Sequence, residues 1–154
     1  MIVEVSSFLP FPIQACVVRV SSPRLLQYVA APMVQFDPVE PLSFPEQWEE
    51  RDYLVRVTLF GFIPFGKQTI SISVPTNTPD LIELRDNGHS KLIRKWDHRI
   101  LLHPVEGGTH YTDRVEIEAG ILTPFIWAFA SVFYRHRQRR WRKLIKAKFV
   151  YSNA

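Results

Sequence analysis

Residues 124 to 147 carry one unbroken helical period, and no other run in the chain is long enough to cover a sheet. At 1.5 Å per residue the segment spans roughly 36 Å. Thr123 stands before it as a cap, and Pro124 takes the first helical position, where a missing N–H costs nothing. Nearly everything upstream alternates instead. MIVEVSSFL reads as a first strand closed by Pro10 and Pro12. Two short helices are predicted near 12–20 and 23–30, the second with Ser22 as cap before Pro23. Prolines between Pro32 and Pro45 mark extended chain, with a short strand at 33–36. Further strands follow in DYLVRVTLFGF, KQTISISV, DLIELRD (closed at Asn87-Gly88), LIRKWDHRILLH and HYTDRVEIEA. The last two flank the turn PVEGG. A half-buried antiparallel sheet needs one face covered, and the terminal helix is the element that can cover it. The fold class is therefore α+β, a curved antiparallel sheet wrapped around a long C-terminal helix. Residues 1–150 read as one domain and 151–154 as a tail.

Charge is distributed unevenly. Eight basic side chains and no acid lie between Arg135 and Lys148, while the rest of the chain has 15 acidic groups against 11 basic ones. The net charge of +4 thus comes from one helix of an otherwise acidic domain. With Ile126 at the centre of a helical wheel, Leu122, Phe129, Ala130, Phe133, Trp141, Leu144 and Ala147 share its face. Arg135, Arg139, Arg142 and Lys146 fall opposite, as a solvated ridge. Arg137 and Arg140 land on the core face, about 20° and 40° from its centre. A guanidinium turned into a sheet interior needs a partner. Asp113, on the apolar face of its strand with Tyr111, Val115 and Ile117, is the leading candidate; Asp86 and Asp97 follow. The other side of that strand, Thr112, Arg114, Glu116 and Glu118, reads as solvated.

The segments SSPRLLQYVAAPM, LFGFIPFGKQTI, WDHRILLHP and YTDRVEIEAG, taken in this order, resemble the START-like (SRPBCC) superfamily of polyketide cyclase/dehydrase and lipid-transport proteins, in an uncharacterised bacterial branch. The resemblance covers most of the chain. It implies the helix-grip fold and an apolar cavity between sheet and helix, holding a lipid, polyketide or similar molecule. It implies no catalytic residues, because that superfamily has no shared catalytic motif and one fold hosts many functions.

Three readings follow. The first is binding, transport or sequestration of a hydrophobic small molecule or lipid. Its lining is Trp96, His98, Ile100, Tyr111, Asp113 and Val115 from the sheet and Ile126, Phe129 and Phe133 from the helix, with Arg137 and Arg140 at the polar end. The second is a cyclase- or dehydratase-like enzyme. If Pro104 faces Thr109 across the hairpin, His98 becomes a diagonal neighbour of Asp113, and the two can form an acid–base pair. The third is an adaptor that binds an anionic membrane through the basic ridge; nucleic acid is the weaker partner, since no reading motif accompanies the charge run. Each pair and ridge also has a structural reading, as ion pairs closing the core or as a solvated helix face.

Phe60, Phe62, Ile63 and Phe65, in the hairpin FGFIPFG, suggest a hydrophobic lip at a cavity mouth, a membrane-dipping loop or plain packing. Neither metal nor cofactor is indicated. The five histidines fit no zinc spacing, and there is no phosphate-binding glycine loop. The lone Cys16 reads as a small core residue and suits a reducing cytoplasm. No secretory leader or spanning segment is read. Oligomeric state is left open.

Overall fold

Seven alternating segments pair into one antiparallel sheet because each carries β-branched and aromatic residues on a single face. The computed structural model describes residues 1–151; the remainder of the expected tail, residues 152–154, lies outside the described residues. The order along the chain is β1 (Ile2–Leu9), α1 (Ile13–Val20), α2 (Pro23–Ala30), β2 (Val34–Glu40), β3 (Asp52–Leu59), β4 (Ile63–Asn77), β5 (Ile82–Ser90), β6 (Lys95–Val105), β7 (Gly108–Glu118) and α3 (Thr123–Lys146). In space the strands run β1-β7-β6-β5-β4-β3-β2, so the first strand pairs with the last. This is the helix-grip arrangement. Register breaks at Pro38/Glu40, Val57/Thr58 and Ser73/Thr76 interrupt β2, β3 and β4. Such bulges bend a strand and sharpen its twist, which curls this half of the sheet around α3.

α3 lies in the concave face of the sheet and buries Ala130, Phe133, Tyr134, Arg137, Gln138, Trp141 and Leu144. α2 packs on its flank: Arg140 Nε donates to the Tyr28 carbonyl at 2.8 Å, and His136 Nε2 lies 2.7 Å from the Ala31 carbonyl. The start of α3 differs from the expectation in one detail. Thr123 sits inside the helix, and its hydroxyl accepts from Ala119 N–H and donates to the Gly120 carbonyl, stapling the preceding turn. Ser22 precedes α2 without a side-chain capping bond; Pro23 alone sets that start.

Two strand expectations also change. β5 continues through Asn87-Gly88 to Ser90, because Gly88 supplies closeness rather than a turn. A Cβ there would stand 2.7 Å from the Thr69 carbonyl oxygen on β4. Thr112 is buried instead of solvated, and its hydroxyl lies 2.9 Å from that of Ser6 on β1. Cys16 is buried without a disulfide, and burial pushes its thiol pKa up to about 12. Among the described residues no helix is long and apolar enough to cross a membrane.

Candidate functional site

Strand alternation sends Ile70 and Ile72 of β4, Leu84 and Asp86 of β5, Trp96, His98 and Ile100 of β6, and Tyr111 and Asp113 of β7 toward α3. Pairing aligns Asp86 with His98 and Ile100 with Asp113. The register of β6 and β7 follows the Pro104–Thr109 pairing, so His98 and Asp113 are diagonal neighbours. A row of polar side chains therefore crosses an otherwise apolar inner face. From α3, Arg137 and Gln138 reach into the same row.

Asp113 is the anchor of this cluster. It is 1% exposed, and its polar partners are donors. His98 Nε2 lies 2.7 Å from Oδ1, the Tyr111 hydroxyl donates to Oδ1 at 3.1 Å, and Gln138 Nε2 donates to Oδ2 at 3.1 Å. One Arg137 terminal nitrogen stands 3.9 Å from Oδ1. Gln138 also binds the Val5 carbonyl and the Ser7 hydroxyl, tying the cluster to β1. Burial pushes the Asp113 pKa up, but Arg137, His98 and Gln138 together hold it below the ordinary carboxylate value. Burial works on His98 in the other direction and outweighs the pull of Asp113, so its pKa falls below the usual value. His98 is thus neutral at neutral pH. A neutral imidazole beside an ionised carboxylate donates from the nitrogen that faces it, which leaves Nδ1 as a free acceptor.

Arg137 is the most demanding group in the interior. It is 7% exposed. Burial opposes its charge, and Asp113 together with Tyr111 and Tyr134 more than offsets that, so it stays protonated. Its Nε is fully buried with no hydrogen-bond partner, and its nearest carboxylate is beyond hydrogen-bond distance. A buried donor left unmade costs about 1–3 kcal/mol.

The space beside this guanidinium is divided in two. A chamber of about 250 Å³ lies between the first half of α3 and strands β2 to β6. Val34, Phe36, Val57, Phe65, Trp96 and Phe129 are among its walls. A second chamber of about 50 Å³ lies toward the far end of α3, bounded by Val20, Trp48, Ile100, Tyr111 and Trp141. Asp86, His98 and Arg137 border both. Asp86 Oδ1 accepts from Ser71 N–H at 2.8 Å. Burial still raises the Asp86 carboxyl to about 7, against the pull of Ser71 and Arg137. Asp86 lines both chambers, so it is poised to gain or lose a proton next to whatever occupies them.

The expected lining residues separate along this partition. Trp96, Ile126, Phe129 and Phe133 line the larger chamber, Ile100 and Tyr111 the smaller, and His98 and Arg137 both. Three are corrected. Asp113 touches neither chamber, because His98 stands in front of it. Val115 is fully buried in the core beneath. Arg140 lines neither chamber: its guanidinium lies 4.2 Å from the Tyr28 ring centre, on the α2 flank. Asp97 is corrected too. It faces the outer side of the sheet, bidentate to Arg85 at 2.8 and 3.0 Å and 3.3 Å from Arg99. Among the described residues no three His, Cys, Asp or Glu side chains converge as a metal site needs.

The family profile of DUF8410, a domain of unknown function, matches residues 19–145. The chain belongs to the DUF8410 family. No curated protein matches it in sequence. Solved structures share its fold at low identity. A protein from Thermus thermophilus superposes with a TM-score of 0.68 at 10% identity, covering 96% of this chain and 99% of that one. One from Chromobacterium violaceum gives 0.66 at 12%, covering 93% and 95%. The AHSA1 protein of Silicibacter pomeroyi gives 0.61 at 10%, covering 96% and 99%. At such identities the likeness concerns the fold alone.

In this DUF8410 chain, sequence reasoning missed Tyr134, Gln138 and Ser7. Gln138 sits about 120° from Ile126 on the wheel, outside the arc of the core stripe. A helix gripped by a curved sheet buries a wider arc than one lying on a flat surface, and that arc admits Tyr134 and Gln138. The sequence signal was present in the unbroken run Phe133-Tyr134, whose two rings cannot both belong to a narrow stripe.

Proposed function

We propose that this chain is a single-domain binding protein, spanning residues 1–150 and START-like (SRPBCC) in kind, that holds a small apolar molecule with one polar end. The observation that carries the reading is the 250 Å³ apolar chamber with the partnerless Arg137 Nε and the free His98 Nδ1 at its inner wall. Cores pack to near crystal density and do not keep such space without cause. The volume lies just below the usual range of ligand sites, about 300–1,000 Å³, and so fits a small molecule. Arg137 supplies donors for a carbonyl or acidic oxygen, His98 accepts from a hydroxyl, and Asp86 does either according to its proton. The rest of the molecule would lie against Phe129, Trp96 and Val57. Cys16, buried and unpaired, fits work in a reducing cytoplasm.

A second reading, an acid–base enzyme acting on a polyketide-like substrate, draws on His98 and Asp113 at 2.7 Å. In that reading Asp113 orients the ring and stabilises its charged form, and Nδ1 takes the substrate proton.

The deciding experiment is organic extraction of natively purified protein followed by mass spectrometry. A stoichiometric apolar compound present in the wild type and absent from Val57→Trp, whose added ring fills the chamber, supports the binding reading. Equal recovery from both proteins sinks it. Conversion of the recovered compound by wild type, lost in His98→Asn with binding kept, would establish the enzyme instead.

A further inference from the structure

Three connections at one end of the sheet lie around the mouth of the larger chamber. They are the β3–β4 tip (residues 60–62), the β5–β6 turn (residues 91–94) and the turn before α3 (residues 119–122). Because Gln68 pairs with Ser90, residues 63 to 67 of β4 project beyond the β5–β6 turn. This projecting tip is apolar and exposed. Phe62 is 76% exposed, and Phe60 and Ile63 are also open to solvent. Opposite it, at the start of α3, Phe125 is 74% and Ile121 91% exposed, and Leu92 adds to the rim from the turn between. The two sides meet where Phe60 packs edge-on against Phe129, with 6.4 Å between ring centres.

The tip is also built under strain. Phe60 has φ 53° and Gly61 φ 79°, the paired left-handed residues of a type I′ turn. A phenylalanine in that region costs roughly 1–2 kcal/mol that a second glycine would not. The sequence holds an aromatic ring at the rim in spite of that cost.

Charge then selects the partner. The exposed Lys67, Lys91 and Arg94 lie in these same segments and form no ion pair among the described residues. Residues 60–67, 90–95 and 119–125 contain no acid. The flanking acids Glu116 and Glu118 are met by Lys95 at 3.0 and 4.0 Å. Exposed aromatics ringed by cations fit a surface that is apolar below and anionic above. Phe125 both lines the chamber and faces solvent, so the chamber opens within this patch.

We infer that the rim formed by Phe60, Phe62, Ile63, Phe125, Lys67 and Lys91 docks on an anionic lipid bilayer, with the chamber mouth turned toward the acyl chains. The docking stands on surface residues; only its purpose, exchange of an apolar cargo with the membrane, rests on the binding reading. The basic ridge of α3 is a separate face and takes no part.

Flotation of the purified full chain with vesicles tests this, comparing phosphatidylcholine alone with an equal mixture of phosphatidylcholine and phosphatidylglycerol. Binding is expected on the mixed vesicles and to be much weaker on the neutral ones. Neutralising Lys67, Lys91 and Arg94 to Gln should weaken it about fivefold for each cation. Phe62→Ser should weaken it by at least about tenfold, the worth of one inserted ring. None of these four residues lines the chamber, so recovery of bound compound from the same variants should equal wild type, which separates failure of docking from failure of binding. Absence of flotation overturns the inference. So does binding that survives these changes and disappears in Arg135→Gln/Arg139→Gln. A dimer that sediments as such in wild type and dissociates in Phe62→Ser would overturn it as well, by giving the patch to a second copy of the chain.

Discussion

The two halves of the interior are built from similar residues and end in different states. Beyond Arg137, Trp141, Tyr111, Leu9 and Leu144 interlock and leave about 50 Å³. On the near side, Phe129, Phe133, Trp96 and Val57 stand around about 250 Å³. Composition does not explain the contrast, since both halves are aromatic and aliphatic. Geometry does. The far half has α1 packed on β6 and β7 and α2 on α3, and Phe11, Trp141 and Phe149 meet edge-to-face there with centres 5.7 to 6.1 Å apart. The near half has the curved strands and the start of α3, with α2 contributing only Leu26 to the chamber wall. The far half holds the fold together; the near half leaves room. Asp86, His98 and Arg137, backed by Asp113, form the polar wall between them.

Four measurements can break or sharpen that contrast. The largest effect is expected from Trp141→Ala, a loss of about 3–5 kcal/mol in urea unfolding, against about 1–2 kcal/mol for Phe129→Ala, whose ring already faces empty space. Equal losses would mean that both halves hold the fold alike. Next comes the wall itself. Asp113→Asn leaves Arg137 without its counter-charge and should cost about 3 kcal/mol, as breaking one side of a buried pair does. A loss under about 1 kcal/mol would show that Arg137 is compensated elsewhere.

The third effect depends on pH. A carboxyl raised to about 7 in the fold contributes stability fully below its unfolded value, and loses that contribution as pH climbs through about 7. Asp86→Asn keeps a carbonyl for Ser71 N–H and carries no charge. It should match wild type near pH 4 and exceed it by on the order of 2 kcal/mol near pH 8, read from urea midpoints at the two pH values. No gain at the higher pH would mean that Asp86 is solvated well enough to ionise freely. The smallest effect is expected from adding volume. Val57→Phe, pointing into the larger chamber, should change stability by less than about 1 kcal/mol, whereas Val20→Phe at the smaller one should cost about 1–3 kcal/mol from overpacking.

Much of this architecture was legible in the sequence. Alternation in β3, β4 and β7 and the helical period of α3 fixed the sheet and the element that covers it. The turn residues Gly107 and Gly108 set the β6–β7 register, and hence the nearness of His98 and Asp113. Other parts were not legible, for physical reasons. Arg140 shares the inward arc of α3, yet α2 arrives from the side and offers the Tyr28 carbonyl and ring before the interior does. That is a tertiary choice, invisible to a wheel. Asp86 looked like a minor partner for an arginine. Its weight comes from facing His98 across two strands and from bordering both chambers, which depends on the bulges that bend β4. The empty volume itself leaves no mark on a sequence, because the residues that line a cavity are those that line a core.

The pairing of β1 with β7 also governs how the molecule comes into being. The sheet edge beside α3 cannot form until the seventh strand exists, and the concave face stays uncovered until α3 has been made. Folds dominated by such distant pairings form in milliseconds to seconds, slowly for their size. Through that interval the aliphatic and aromatic inner faces of β3 to β6 are open to any passing chain. The chamber is thus the last part of the protein to exist, and a guest can enter only after synthesis has passed the final helix.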